Sequence, residues 1–218
     1  MRAQQHMEQV VLEELRPTQM TVGLAEVALK RSQWAELKTK ARGKLLRSHW
    51  FPAVKGPRGR FYIVDHHHLG QALMHEGVPS VWVMQLADFS ALDAGMFWRV
   101  MEFHHWAHPY DEKGQRRDFS AIPKQLDLLK DDPYRSLAGE VRKAGGYAKD
   151  AAPYAEFLWA DFYRPLFRKA DVRAGDGQGL SQSVVVEAVA LARSAKAQFL
   201  PGWSGVIAGG PSHGAGAL

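Results

Sequence analysis

Apolar and polar positions along the chain change their period partway through, and the change divides it into two kinds of sequence. The opening "EQVVLEELRP" predicts a strand over about Val10 to Leu15, ended at Pro17 because a proline cannot supply a ladder donor. In "TVGLAEVALKRSQWAELKTK", Val22, Val27, Leu29, Trp34 and Leu37 recur at loosely helical spacing, which predicts a helix with an irregular start. "HWFPAVKGPRGRFYIVD" places two short apolar runs around Lys55-Gly56-Pro57-Arg58-Gly59 and predicts a hairpin whose second strand is Phe61 to Val64. Leu69, Ala72 and Leu73 of "HHLGQALMHEG" predict a helix stopped at Gly77, and "VPSVWVMQL" predicts a further strand.

From about Ala91 onward only helices are expected. "SALDAGMFWRVMEFHHWAH", "IPKQLDLLKDDPYRSLAGEVRKAG", "PYAEFLWADFYRPLF" and "LSQSVVVEAVALARSAKAQF" are long helix-compatible stretches punctuated by proline or glycine. The last stretch is glycine-rich and reads as a loosely held tail, with Trp203, Val206 and Ile207 available to dock. The expected fold class is therefore α/β (α+β): a mixed domain over residues 8–90, an all-helical region over 91–200 packed on it, and a flexible tail over 201–218. No internal repeat is visible.

With 218 residues and 46% hydrophobic residues the chain can bury a substantial core, so a disordered class is excluded. The formal charge of +5 reads as spread, because 23 acidic residues offset 28 basic ones, and gives only a weak nucleic-acid signal. There are no cysteines, which excludes disulfides, thiolate metal sites and cysteine nucleophiles. No secretory pattern opens the sequence, and no run reaches the roughly 18 apolar residues of a membrane span. A cytoplasmic protein without membrane partners is expected.

Chemistry gathers where the second hairpin strand meets its helix. A strand feeding a polar turn and a helix N-terminus favours anions, because the first N–H groups of the helix have no intrahelical partner and its dipole is positive there. Asp65, His66, His67 and His68 occupy that turn, and imidazole can donate to phosphate, titrate near neutrality or ligate a metal. The plainer reading is that Asp65 caps the helix and the histidines are buried or solvated. Three adjacent histidines exceed what a cap needs, yet at most two can face one point.

A second cluster, "FHHWAHP", sets His104 and His108 four apart and His105 and His108 three apart, spacings that would share a helical face and could hold a divalent metal. Pro109 would end that helix near His108, making the histidines dipole partners instead. Asp65, His67 and His105 or His108 would converge if this helix covers the turn. In "HPYDEKGQRRDF", Asp111, Glu112, Arg116 and Arg117 form either a phosphate clamp or a solvated loop. Asp132 and Pro133 read as a helix cap and first position, leaving Arg135 and Ser136 as polar-site candidates. Trp98, Trp106, Tyr154, Phe157, Trp159, Phe162 and Tyr163 read as core rather than as a base-stacking platform.

"LRPTQ" at Leu15 to Gln19 and "IVDHHHLGQAL" at Ile63 to Leu73 resemble the ParB/sulfiredoxin superfamily, in particular its ParB-like nuclease group, over residues 8–87. Against the pattern V-D-G-H-H-R-x-x-A-L the chain keeps Val64, Asp65, His67, His68, Ala72 and Leu73, with His66 for the glycine and Leu69 for the arginine. Relatives include CTP-hydrolysing partition proteins, sulfiredoxins and serine kinases. The missing cysteine removes sulfiredoxin chemistry, and Gln19 stands where the kinases have an acid. The resemblance implies a nucleotide- or nucleic-acid-binding protein, a nuclease or nucleotide hydrolase, with Mg²⁺ or another divalent metal as cofactor. Asp65, His67 and His68 would be catalytic, His66, Lys55, Arg116 and Arg117 phosphate-binding, and His104, His105, His108 and Gln19 supporting or metal candidates. The alternative is a noncatalytic nucleotide-binding or protein-interaction module.

Overall fold

The computed structural model describes residues 6–173 and 180–206. The chain divides into two compact units, residues 1–136 and 137–218. In the first, strands β1 (His6–Val11), β3 (Phe51–Lys55), β4 (Phe61–Ile63) and β5 (Ser80–Asp88) form one sheet in the order β1-β5-β3-β4. A short pair, β2 (Thr21–Val22) and β6 (Lys130–Asp131), forms a separate two-stranded parallel sheet. β3 and β5 are parallel, with a bulge between Ala53 and Val54, while β1–β5 and β3–β4 are antiparallel.

Alternation along these strands serves two cores, because successive side chains point to opposite faces. Phe51, Ala53, Phe61, Ile63, Val81 and Val83 enter one cluster with Val27 and Trp34 of α1 (Leu24–Glu36) and Ala72 and Leu73 of α3 (His67–His75). Val54, Tyr62 and Leu86 face the other way, against Phe97 and Met101 of α4 (Ala94–Phe103). Leu45 and Leu46 of α2 (Thr39–Ser48) complete the first cluster. The hairpin, the third helix and the strand after it follow the sequence reading, including Gly77 at φ +65° where α3 stops.

Three expectations are corrected. The opening strand ends at Val11, and Leu12–Glu14 form a 3-10 turn instead. Leu12 and Leu15, three apart, both turn into the core at 1% and 0% exposure, which a strand alternating every second residue could not achieve. The irregular helix start is the strand β2, and a second helix, α2, follows α1. The region after Ala91 is not purely helical, since β6 pairs with β2 through Lys130 N–H to Met20 O at 3.1 Å and Asp132 N–H to Val22 O at 2.8 Å.

The second unit holds most of α5 (Pro133–Lys143), whose first turn belongs to the first unit, with α6 (Ala155–Tyr163) and α7 (Gln182–Ala192). Trp159 and Tyr163 are fully buried, with Tyr147 stacked on Trp159 at 4.0 Å, as expected of core aromatics. Of the expected tail, Trp203 bridges to Tyr147, and residues 207–218, Ile207 among them, lie outside the described residues.

Candidate functional site

β4 delivers Val64 and Asp65 to a turn that only an unusual backbone can close. His66 adopts φ +66° and ψ 23°, the left-handed region that glycine occupies freely and other residues enter at a cost of order 1 kcal/mol. This is the position where the family pattern has glycine, so His66 keeps the glycine conformation. Its ring lies edge-on to Phe51 at 5.7 Å. Asp65 does not cap α3, contrary to the plainer reading above: its Oδ1 accepts from the neighbouring His66 N–H at 2.6 Å, and the N-cap of α3 has no side-chain hydrogen bond.

His67 and His68 both turn inward and take hold of one segment. His67, 4% exposed, accepts the Thr18 N–H on Nε2 at 3.2 Å, and His68 accepts the Gly23 N–H on Nε2 at 3.0 Å. Glu26 stands 3.8 Å from His68 Nε2. Burial, then the charges of His68, Arg135 and His66, holds the His67 pKa well below the usual imidazole value. A neutral ring accepting on Nε2 carries its proton on Nδ1, so His67 is set as an acceptor for the backbone.

The segment so held is the stretch around "RPTQ". Arg16 bonds across to β4 through its N–H to Phe61 O and its carbonyl to Ile63 N–H, both at 2.9 Å, and Thr18 Oγ1 donates to Ile63 O at 2.8 Å. On its other side His108 N–H donates to Thr18 O at 2.8 Å. Gln19 Nε2 and Arg135 Nη1 then donate together to Thr21 O, at 2.7 and 3.2 Å.

Three helix N-termini meet here. α1 starts at Gly23, where a Cβ would lie 2.7 Å from Ser136 Oγ and 2.8 Å from Ser136 N, so only glycine lets the starts of α1 and α5 come this close. Leu24 N–H donates to Asp131 Oδ1 at 3.0 Å and Ala25 N–H to Ser136 Oγ at 3.3 Å, while Asp132 caps α5 by accepting the Tyr134 N–H at 3.1 Å. Thr18, Gln19, Thr21, His67, Asp132, Arg135 and Ser136 are all buried, and Thr21 Oγ1 has no hydrogen-bond partner among the described residues. Burial and the nearby Arg135 guanidinium push the His108 pKa down to about 3, and its ring stacks on Tyr110 at 4.3 Å.

The structure thus brings together His67, His68, His108, Gln19, Arg135 and Ser136, with Thr18, Thr21, Gly23, Glu26 and Asp131, which the sequence reading did not single out. Of the convergence expected for Asp65, His67 and His105 or His108, only a shared contact with Thr18 is seen, made by the His67 ring and by the backbone N–H of His108. Asp65 and His105 are exposed. The helical metal spacing of His104, His105 and His108 does not exist, because α4 ends at Phe103. Trp106 N–H returns to Met101 O and His105 N–H to Glu102 O, a Schellman closure with His105 at φ +54°. Among the described residues no three His, Asp or Glu side chains group as a metal site would require.

The candidate phosphate clamp is committed elsewhere. Arg116 pairs with Glu102 at 2.6 Å and lies over Phe119, and Arg117 pairs with Asp111 at 2.6 Å. Burial alone would raise the Asp111 pKa, but the N–H groups of Gln115 and Lys113 and the Arg117 guanidinium outweigh it and hold the carboxylate ionised. Lys55 sits over Phe61 at the hairpin end of β3, four residues from Phe51 and so about 13 Å along the strand from the histidine turn.

Comparison with known proteins gives the chain a family and a solved structural relative. The family described as "Putative ParB-like nuclease" matches residues 8–165. A crystal structure of protein Atu1540 from Agrobacterium tumefaciens is similar at 42% identity with a TM-score of 0.84, covering 94% of this chain and 100% of that one. No curated protein matches. With the family match spanning most of the chain and both histidines of its turn in place, the protein belongs to the ParB-like nuclease family.

Proposed function

We propose that this protein binds the phosphate of a nucleotide or nucleic-acid ligand where α1, α3 and α5 begin. The observation that carries the reading is the buried Arg135 held among three helix N-termini. Each N-terminus contributes a positive partial charge of roughly half an elementary unit, and burial strengthens every such interaction. Thr21 Oγ1 is buried there without a hydrogen-bond partner among the described residues, which leaves a hydroxyl for a ligand to engage. His67 and His68 serve this site by fixing the 18–23 segment rather than by proton transfer, since their Nε2 lone pairs are occupied by backbone donors. An anion bound beside Arg135 would offset its charge and raise the His108 pKa.

Calorimetric titration with nucleoside mono-, di- and triphosphates, with and without Mg²⁺, tests the reading. We expect binding, and a loss of about 10- to 100-fold in Arg135→Gln, the size of one charge-assisted hydrogen bond. Absence of binding, or unchanged affinity in a folded Arg135→Gln, overturns it.

Phosphoester hydrolysis is the second reading, favoured by Asp65. It is exposed one residue before the turn, and among the described residues only its Oδ1 is engaged. A divalent cation arriving on the ligand's phosphates needs only one or two carboxylates from the protein and would neutralise phosphoryl oxygens there. Metal-dependent cleavage lost in Asp65→Asn supports hydrolysis; no cleavage with Mg²⁺ or Mn²⁺ leaves a noncatalytic binding module. Either activity is proposed for the cytoplasm. Among the described residues no helix is long and apolar enough to cross a membrane.

A further inference from the structure

The charge of this chain is not spread. Between residues 37 and 64 there are eight Lys or Arg and no Asp or Glu, a block of +8 in a chain of +5, so the remainder carries −3. Four of the eight, Lys40, Arg42, Lys44 and Arg47, lie on α2, with Lys38 at its N-cap.

We propose that the exposed face of α2 binds the phosphate backbone of a nucleic acid. Lys40, Lys44 and Arg47 follow one helical face, rising about 6 Å and then about 4.5 Å along the axis. With Thr39, Gly43 and Ser48 they line a shallow surface depression. A Cβ at Gly43 would meet nothing within 4 Å, so the backbone lies bare between the cations. Lys38, Lys40, Lys44 and Arg47 form no ion pair among the described residues, whereas Lys30 and Arg31 of α1 are paired with Glu26 and Glu76.

Local stability argues against this arrangement being incidental. Like charges at Lys40 and Lys44 cost a few tenths of a kcal/mol, Lys38 and Lys40 oppose the helix dipole, and glycine in mid-helix costs about 0.5–1 kcal/mol. Such local violations mark places held for function. A lipid surface is the poorer occupant, because interfacial helices insert apolar side chains and Leu45 and Leu46 are turned into the core. A nucleic-acid backbone presents phosphates in a line that such a row of cations can follow, and Trp50, 36% exposed beside His49, offers a ring for a base.

Fluorescence anisotropy of a labelled single-stranded oligonucleotide and its duplex tests the proposal with the full chain. Binding near 10⁻⁴ to 10⁻⁶ M at physiological salt is expected, falling on a log–log plot with a slope of about −2 to −3 for three or four phosphate contacts. The triple variant Lys40→Glu, Lys44→Glu, Arg47→Glu, all at exposed positions, should bind at least tenfold more weakly with a flatter slope. The same triple variant should bind a nucleoside monophosphate as the unaltered protein does, which separates this surface from the site above. Oligonucleotide binding unaffected by the triple variant overturns the proposal. So does binding of phosphatidylserine vesicles without binding of either oligonucleotide.

Discussion

At the scale of single residues, the two histidines of the turn have a stabilising role that their chemistry does not advertise. His67→Ala leaves the Thr18 N–H buried without an acceptor and opens a cavity, so a loss of about 2–4 kcal/mol is expected in chemical denaturation. His66 tells the opposite story. Its left-handed backbone costs about 1 kcal/mol, and its edge contact with Phe51 returns a similar amount, so His66→Gly should melt within about 1 kcal/mol of the unaltered protein. A β-branched residue there has no such compensation, and His66→Val should be clearly destabilised in the same measurement. The departure from the family's glycine was visible in the sequence, but that His66 adopts the glycine conformation was not, because a dihedral angle has no composition signal.

At the scale of elements, long periodic segments were legible and short ones were not. The β3–β4 hairpin, α3 and β5 each bury alternating or helical faces whose period the sequence carries. β2 and β6 are two residues each and gain their stability from one another across more than a hundred residues, so neither has a pattern of its own. The "FHHWAHP" reading failed for a related reason: the chain leaves the helix at His104 through the closure at His105 and buries Ala107, and local spacing cannot show that exit. α2 was missed although its sequence is short of nothing but acids. Gly43→Ala should stabilise it by about 0.5–1 kcal/mol, read as a raised melting temperature, because nothing in the structure occupies the space of the added methyl.

At the scale of the whole molecule, burying neutral imidazoles makes stability depend on pH. His67 and His108 have folded pKa values below the roughly 6.5 of the unfolded chain, which therefore binds protons that the folded one refuses. Their contribution is complete above about pH 6.5 and is lost as the pH falls, each by up to about 1.4 kcal/mol per unit, until His108 itself protonates near 3. Urea denaturation at several pH values between neutrality and mild acid should show stability decreasing with acid, and His108→Gln should flatten that slope; stability rising with acid would contradict the assignment. The sequence by itself determined the mixed α/β core, the strand–turn–helix placement of Asp65 to His68 and the absence of thiol chemistry, because periodicity and residue type are local properties. Only the tertiary structure decided that His67 and His68 grip Thr18 and Gly23, that Arg116 and Arg117 are spent on carboxylates, and that Arg135 joins the site from a helix 67 residues beyond the turn. Those outcomes depend on which distant backbone donor reaches which lone pair, and burial decides that only once the core has closed.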